Sequence, residues 1–385
     1  MCCPWSSAER VHFDLTDDQE LFRETTAKFL EDTCPLDQVR RIAEEEPEGF
    51  NRDWWRRGAE LGWVSMLVSE DHGGGCISGG GLADLALVAE ETGRRVSPGP
   101  LIPTNVVAAA LSRSGSPDQH KQLAGLLAGD TIAAWCVGGD SLGWSRPEGG
   151  IRAEARGDGF VLEGTSGPVE AGAQADLLMV TARSDRGPVQ VVIPSGLAGV
   201  SDLPAHSLDL VRRFACLTFD RAEVPADAVL GEPGRTAGDI ERQLQDAVVL
   251  QCASMAGAVD QVLGFTIEYA QDRFSFGRPL ASYQALKHRF ADMKLWVEAS
   301  HATADAAARA VDRGSSDAGE LISVAKAYIG DRAPMILADC VQLHGGIGVT
   351  WDHDLHLYER RVIQDRSQFG TPRDHRERVA VAAGI

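Results

Sequence analysis

Residues 273–280 read Arg273-Phe274-Ser275-Phe276-Gly277-Arg278-Pro279-Leu280, followed by Gln284 and by the run from His288 to Met293. This short stretch of aromatic, cationic and turn-forming residues separates long segments of helical periodicity. Before it, Val249, Cys252, Ala256, Val259, Leu263 and Ile267 form one apolar stripe. After it, one helical segment runs from Tyr283 toward Ala310 and another from about Asp317 toward Val341, with a kink expected near Pro334. Long helices joined by short loops predict an antiparallel bundle. The stripes alone are ordinary core and carry no cofactor signal.

Upstream the periodicity changes twice. From Thr131 the chain breaks into short runs of strand character, namely Ile132 to Val137, Ile151 to Ala155, Phe160 to Leu162, Leu177 to Thr181, Val189 to Ile193 and Phe214 to Phe219. Asp158-Gly159 marks a hairpin between two of them. Before residue 128 the chain is helical, opening on the capping-box pattern Thr16, Asp17, Asp18, Gln19 ahead of Leu21, Phe22, Phe29 and Leu30. Trp54 to Leu61 marks a later helix, and Leu82, Leu85, Val88 and Ala89 another that is expected to end at Gly93. The expected fold is α+β in three sections: an N-terminal helical domain over 1–129, a central β domain over 130–235 and a C-terminal helical bundle over 236–385.

A chain of 385 residues with 44% hydrophobic content can bury a large core. Its net charge of −19 argues against a nucleic-acid or anionic-membrane binder, so any anionic ligand must be held by a local cationic cluster. The eight cysteines are scattered without a CxxC pair or a His at ligand spacing, which predicts reduced thiols and no metal site. The opening residues lack a signal-peptide pattern, and no segment reads as apolar enough to span a bilayer, so a cytoplasmic location is expected.

The order helix, β, helix and its local motifs resemble the acyl-CoA dehydrogenases. The 273–284 stretch is similar to that family's R-x-x-F-G…Q segment, and Gln342-Leu343-His344-Gly345-Gly346-Ile347-Gly348 to its Q-x-x-G-G-x-G. Gly62-Trp63, Asp71-His72-Gly73-Gly74, Val224-Pro225 and Leu230-Gly231 match further landmarks, so the resemblance spans the chain. It implies an N-terminal α domain, a β domain and a C-terminal four-helix bundle, assembled as dimers of dimers with FAD at the subunit interface. Arg273, Phe276 and Gln284 would then hold the pyrophosphate and adenosine side of a flavin bound mainly by the neighbouring subunit, and Gln342, Leu343, Gly345 and Gly346 its adenine half. A diphosphate needs a permanently charged bidentate donor, and close backbone approach needs residues without a Cβ.

Family chemistry removes the α-proton of an acyl thioester with a carboxylate and passes the β-hydride to flavin. Counted from Gly348, the usual Glu-Gly-Thr falls on Phe369-Gly370-Thr371, and a phenyl ring accepts no proton. The alternative base position on the first bundle helix falls on Ala247, and the neighbouring Arg position on Val248. In the β domain Ala134-Trp135-Cys136-Val137 matches the strand leading to the flavin, but Gly138-Gly139 replaces Thr-Glu, while Pro168 and Glu170 replace the second segment's Trp and Thr.

The expected function is therefore FAD-dependent acyl-CoA dehydrogenation, with this chain as the subunit of a heteromer that supports a cofactor in a base-carrying homologue. Two alternatives stay open: a self-sufficient, homo-oligomeric dehydrogenase using Asp246 or Glu241 as base, and a flavin monooxygenase or oxidase on the same fold. Both acids otherwise read as exposed first-turn charges. His353 and His356 read as surface residues, Trp54, Trp55 and Trp63 as core, and Lys287, His288 and Arg289 as a solvated face.

Overall fold

The structure is a computed structural model that describes residues 15–46, 48–137, 150–232 and 236–385. Helices come first: α1 (Asp17–Thr33), α2 (Leu36–Glu45), α3 (Arg52–Glu60), α4 (Gly81–Arg94), α5 (Leu101–Ser114), α6 (Pro117–His120) and α7 (Leu123–Leu127). The capping box forms as the sequence predicts: Gln19 N–H donates to Thr16 Oγ1 at 3.2 Å and Thr16 N–H to Gln19 Oε1 at 3.1 Å. The Gln19 amide also donates to Asp84 at 2.7 Å, so the cap ties α1 to α4. Trp54, Trp55 and Trp63 are buried as core: Trp54 stacks on Phe29, Trp63 meets Phe29 edge-on, and Trp55 packs edge-on against Trp63.

Gly93 is not a helix terminus. α4 runs through it to Arg94, and a Cβ on Gly93 would stand 2.1 Å from the Ser254 carbonyl oxygen. Gly257 meets the Glu90 carbonyl in the same way, also at 2.1 Å. The two glycines bring the backbones of α4 and a bundle helix into direct contact, which no side chain would allow.

The strands are β1 (Ala133–Cys136), β2 (Arg152–Arg156), β3 (Gly159–Glu170), β4 (Leu177–Ser184), β5 (Gly187–Pro194), β6 (Val200–Ala205), β7 (Phe214–Val224) and β8 (Val229–Leu230). They form one sheet in the order β6-β7-β3-β2-β4-β5-β8, with β1 added in parallel to β4. The hairpin between β2 and β3 pairs Arg156 with Gly159, so its turn residues are Gly157 and Asp158, one position earlier than expected. Gly157 takes the left-handed conformation there (φ 61°). β3 runs on past Leu162 to Glu170 through two register shifts, and Pro168, which cannot donate to the ladder, follows the second. β6 escapes a periodicity reading because it is an exposed edge without apolar alternation.

The C-terminal helices are α8 (Ala237–Asp272), α9 (Gln284–Asp312), α10 (Ala318–His344), α11 (Leu355–Ser367) and α12 (Pro372–Ala382), with the small hairpin β9 (Phe274–Ser275) and β10 (Arg278–Pro279) between α8 and α9. α8 is long and apolar enough to cross a membrane, contrary to the expectation from sequence; 78% of its apolar window is buried inside the protein, under α4, α5, α9 and α10. α10 continues through Pro334. The missing N–H of Pro334 leaves the Gly330 carbonyl free, and Arg366 of α11 donates to it at 2.9 Å.

Candidate functional site

Where α8 ends, the chain turns directly into the β9–β10 hairpin. Arg273 N–H donates to Tyr269 O, and Leu280 N–H to Arg273 O, both at 2.8 Å. Tyr283 O–H donates to Ser275 O at 2.7 Å, and the Arg278 guanidinium lies 3.8 Å above the Tyr283 ring. At the tip Phe276 and Gly277 are both left-handed (φ 49° and 80°). That conformation costs a phenylalanine about 1–2 kcal/mol, yet its ring is 98% exposed and gains no packing within the chain. Arg273, Arg278 and Gln284 are exposed beside it.

The second motif sits at the end of α10. Gly345 closes the helix at φ 64°, ψ −137°, a backbone state open to glycine and strained for other residues. Gly348 is required by packing, since a Cβ there would meet Val341 O at 2.7 Å. Gly346 is required by neither: its φ is ordinary and no atom of the chain lies within 4 Å of where a Cβ would stand. Gln342, Gly345 and Gly346 are exposed and Leu343 is half-buried. The two motifs meet through Tyr269, whose ring stacks on His344 at 4.5 Å and whose hydroxyl donates to His344 O at 3.3 Å. Arg289 pairs with Asp339 at 2.5 Å, joining α9 to α10, while Lys287 and His288 are exposed. His353 and His356 are half-buried rather than surface residues. His353 packs 4.6 Å from His344, and His356 stacks on Trp351 at 4.3 Å.

A cleft between the sheet and the bundle holds the remaining positions. β1 contributes Trp135, β3 contributes Pro168 and Glu170, and the turn after α11 contributes Phe369. The Phe369 ring stacks on Trp135 at 5.5 Å. Phe369 and Gly370 both have positive φ (54° and 98°), and His375 Nε2 donates to the Phe369 carbonyl at 3.0 Å, fixing this turn. The space left between Ile102, Trp135, Pro168, Glu170 and Phe369 is about 20 Å³, room for one water molecule. Trp135 Nε1 and Glu170 Oε1 make no hydrogen bond among the described residues.

Below this void lies a buried charge cluster. Arg212 bonds Asp365 at 2.7 Å and stands 3.6 Å from Glu170, and Arg361 bonds Asp209. Lys326 Nζ donates to Gln251 Oε1 and, at 2.5 Å, to Asp365 O. Burial pushes Glu170 up to about 7 and Lys326 down to about 8. Little in the local sequence pattern points to the cluster. Arg361 and Asp365 have the spacing of a solvated i,i+4 pair, and only the loop carrying Asp209 and Arg212 turns them into a cross-linked core.

Ala247 and Val248 lie in the core, fully buried. Asp246 is not an exposed first-turn charge: it is fully buried and held by Arg113 and by Arg242, the latter at 3.0 Å. A carboxylate saturated by two guanidiniums is not placed to take a substrate proton. Glu241 pairs with Arg378 at 2.6 Å. Gly138-Gly139 lies outside the described residues. Among those described, no group of three or more His, Cys, Asp or Glu side chains is placed to hold a metal ion.

Helices ahead of a sheet, a long-helix bundle behind it and an exposed cationic hairpin beside a glycine turn define a flavoprotein class of fold. Comparison with known proteins makes the assignment specific. The acyl-CoA dehydrogenase N-terminal domain model matches residues 16–130 and the C-terminal domain model residues 238–383. The chain belongs to the acyl-CoA dehydrogenase family, FAD-dependent oxidoreductases. It is 29% identical over 369 residues to acyl-CoA dehydrogenase IpdE2 of Mycolicibacterium smegmatis, covering 95% of this chain and 98% of that protein. Among solved structures it is similar to a variant of the Tcur3481-Tcur3483 steroid ACAD (26% identity, TM-score 0.85, 95% and 98% of the two chains). It is also similar to a chain of the ChsE4-ChsE5 complex from Mycobacterium tuberculosis (25% identity, TM-score 0.85, 97% and 98%).

The family's cofactor fits this chain at one end only. The exposed Arg273 hairpin and the Gly345-Gly346 turn suit a diphosphate and its adenosine, and the open space over Gly346 explains a glycine that the fold itself does not require. The cleft where the resemblance places the flavin ring does not fit a tricyclic ring, because Phe369 on Trp135 and the Glu170 carboxyl already fill it.

Proposed function

We propose that this chain is the supporting subunit of a heteromeric acyl-CoA dehydrogenase. It clasps the diphosphate and adenosine of an FAD whose ring sits in a homologous partner carrying the catalytic carboxylate. The observation that carries this proposal is the contrast between the open clasp and the closed ring cleft. Two of the similar solved structures bear the names of paired chains, ChsE4-ChsE5 and Tcur3481-Tcur3483, which supports the same reading.

FAD, when bound, supplies the hydride acceptor for α,β-dehydrogenation of an acyl thioester. Arg273 offers the two parallel N–H donors that a diphosphate takes. Phe276 and Gln284 flank it, and Gln342, Leu343 and the glycine turn face the adenine side. At the positions where the resemblance places a base this subunit has none, since Phe369, Ala247 and Val248 do not titrate and Asp246 is committed to Arg113 and Arg242.

The test is Arg273→Ala in the FAD-loaded assembly. Loss of a charge-assisted pair predicts FAD binding about 10- to 100-fold weaker, read by flavin fluorescence on dilution. Unchanged affinity would show that Arg273 does not reach the cofactor.

A further inference from the structure

We propose that Tyr269 is the positioning residue that sets the two jaws of the FAD clasp against each other, through a ring stack on His344 that His353 also contacts. The inference rests on the clasp proposed above and adds residues that belong to neither recognition motif.

Tyr269 touches both jaws. Its carbonyl accepts the Arg273 N–H at 2.8 Å, fixing where the hairpin leaves α8. Its hydroxyl donates to the carbonyl of His344, the residue directly before Gly345, at 3.3 Å. The two rings lie 4.5 Å apart and 22° from parallel. A half-buried tyrosine hydroxyl needs a hydrogen-bond partner, and this one finds it on the opposite jaw. Here the hydroxyl bonds a carbonyl of α10's last turn, where the helix leaves carbonyls without intrahelical partners.

Further contacts hold the stack. His344 is buried and its Nδ1 donates to Cys340 O at 2.8 Å, which fixes the ring's rotation. His353 meets the His344 ring edge-on at 4.6 Å, and Phe265, one turn before Tyr269 on α8, lies 5.8 Å from both imidazoles. His353 Nδ1 accepts the Leu355 N–H at 3.2 Å, so its proton is on Nε2. Arg40 of α2 anchors the segment carrying His353, donating to Trp351 O at 2.6 Å, Asp352 O at 3.2 Å and Asp354 Oδ1 at 2.6 Å. The glycine turn is thus held from α8 and, through this segment, from the N-terminal domain, while its outer face stays open.

The test compares FAD with FMN, which lacks the adenosine monophosphate half, in the reconstituted assembly. Tyr269→Phe keeps the stack and is expected to hold FAD within about threefold of the parent. Tyr269→Leu loses the stack and is expected to weaken FAD about 5- to 20-fold, with FMN affinity unchanged, because only a ligand that reaches both jaws senses their spacing. Equal weakening of FAD and FMN by Tyr269→Leu would mean general damage and overturn the assignment. Unchanged FAD affinity in Tyr269→Leu, with Arg273→Ala still impaired, would overturn the stack while sparing the clasp; unchanged affinity in both would remove the clasp itself. Should Tyr269→Leu not fold, His353→Leu, which removes the edge-on contact to His344, is expected to weaken FAD selectively in the same way, and no effect there overturns the proposal.

Discussion

Glu170 stands where burial opposes ionisation of its carboxyl. Burial raises its carboxyl from an ordinary 4.5 to about 7, against the partial relief given by Arg212. An acid whose folded pKa lies above its unfolded one binds an extra proton when folded, so its contribution is fullest below about 4.5 and is lost as pH rises through about 7. Glu170→Gln is therefore expected to flatten the fall in stability over that window and to be more stable than the parent by roughly 1–3 kcal/mol above it. Denaturant unfolding across the pH range reads this directly, and parallel curves for the two proteins would reject it. The residue scale was partly legible from sequence. At 369 and 247, where the resemblance places a base, the phenyl ring and the alanine are non-titrating by their chemistry alone. The burial of Asp246 is not legible, because its partner Arg113 is 133 residues away in sequence, a contact that no local pattern announces.

At the scale of elements, the loop carrying Asp209 and Arg212 is clamped to α11 by two buried ion pairs, and Gln190 of β5 joins Gln243 of α8 through two side-chain hydrogen bonds of 2.7 and 2.9 Å. These contacts tie the sheet and its loop to the bundle. Asp365→Ala strands the Arg212 charge and is expected to cost about 3–5 kcal/mol, whereas replacing both partners by Arg212→Met with Asp365→Leu costs clearly less than that single change. Urea midpoints of the single and double variants measure the difference; simple additivity would show that the pair is not coupled. Helices with strong periodicity were legible, as were six strands. The edge strand β6, the true role of Gly93 and the buried nature of α11's charges were not, because each is decided by what packs against the element.

For the molecule as a whole, the central claim is a division of labour. One end of this chain is open and shaped for half of a cofactor, and the site for the other half is filled by its own side chains. That split could be read in the sequence as retained and replaced motifs, but only the packing of Phe369 on Trp135 shows that the cleft is closed. The most direct measurement is the flavin content and mass of the full chain purified alone and then together with a co-encoded family member carrying the Glu-Gly-Thr base. The account predicts little bound flavin alone and about one FAD for each pair of unlike chains in an active complex. A yellow homo-oligomer of this chain that oxidises acyl-CoA unaided would contradict it.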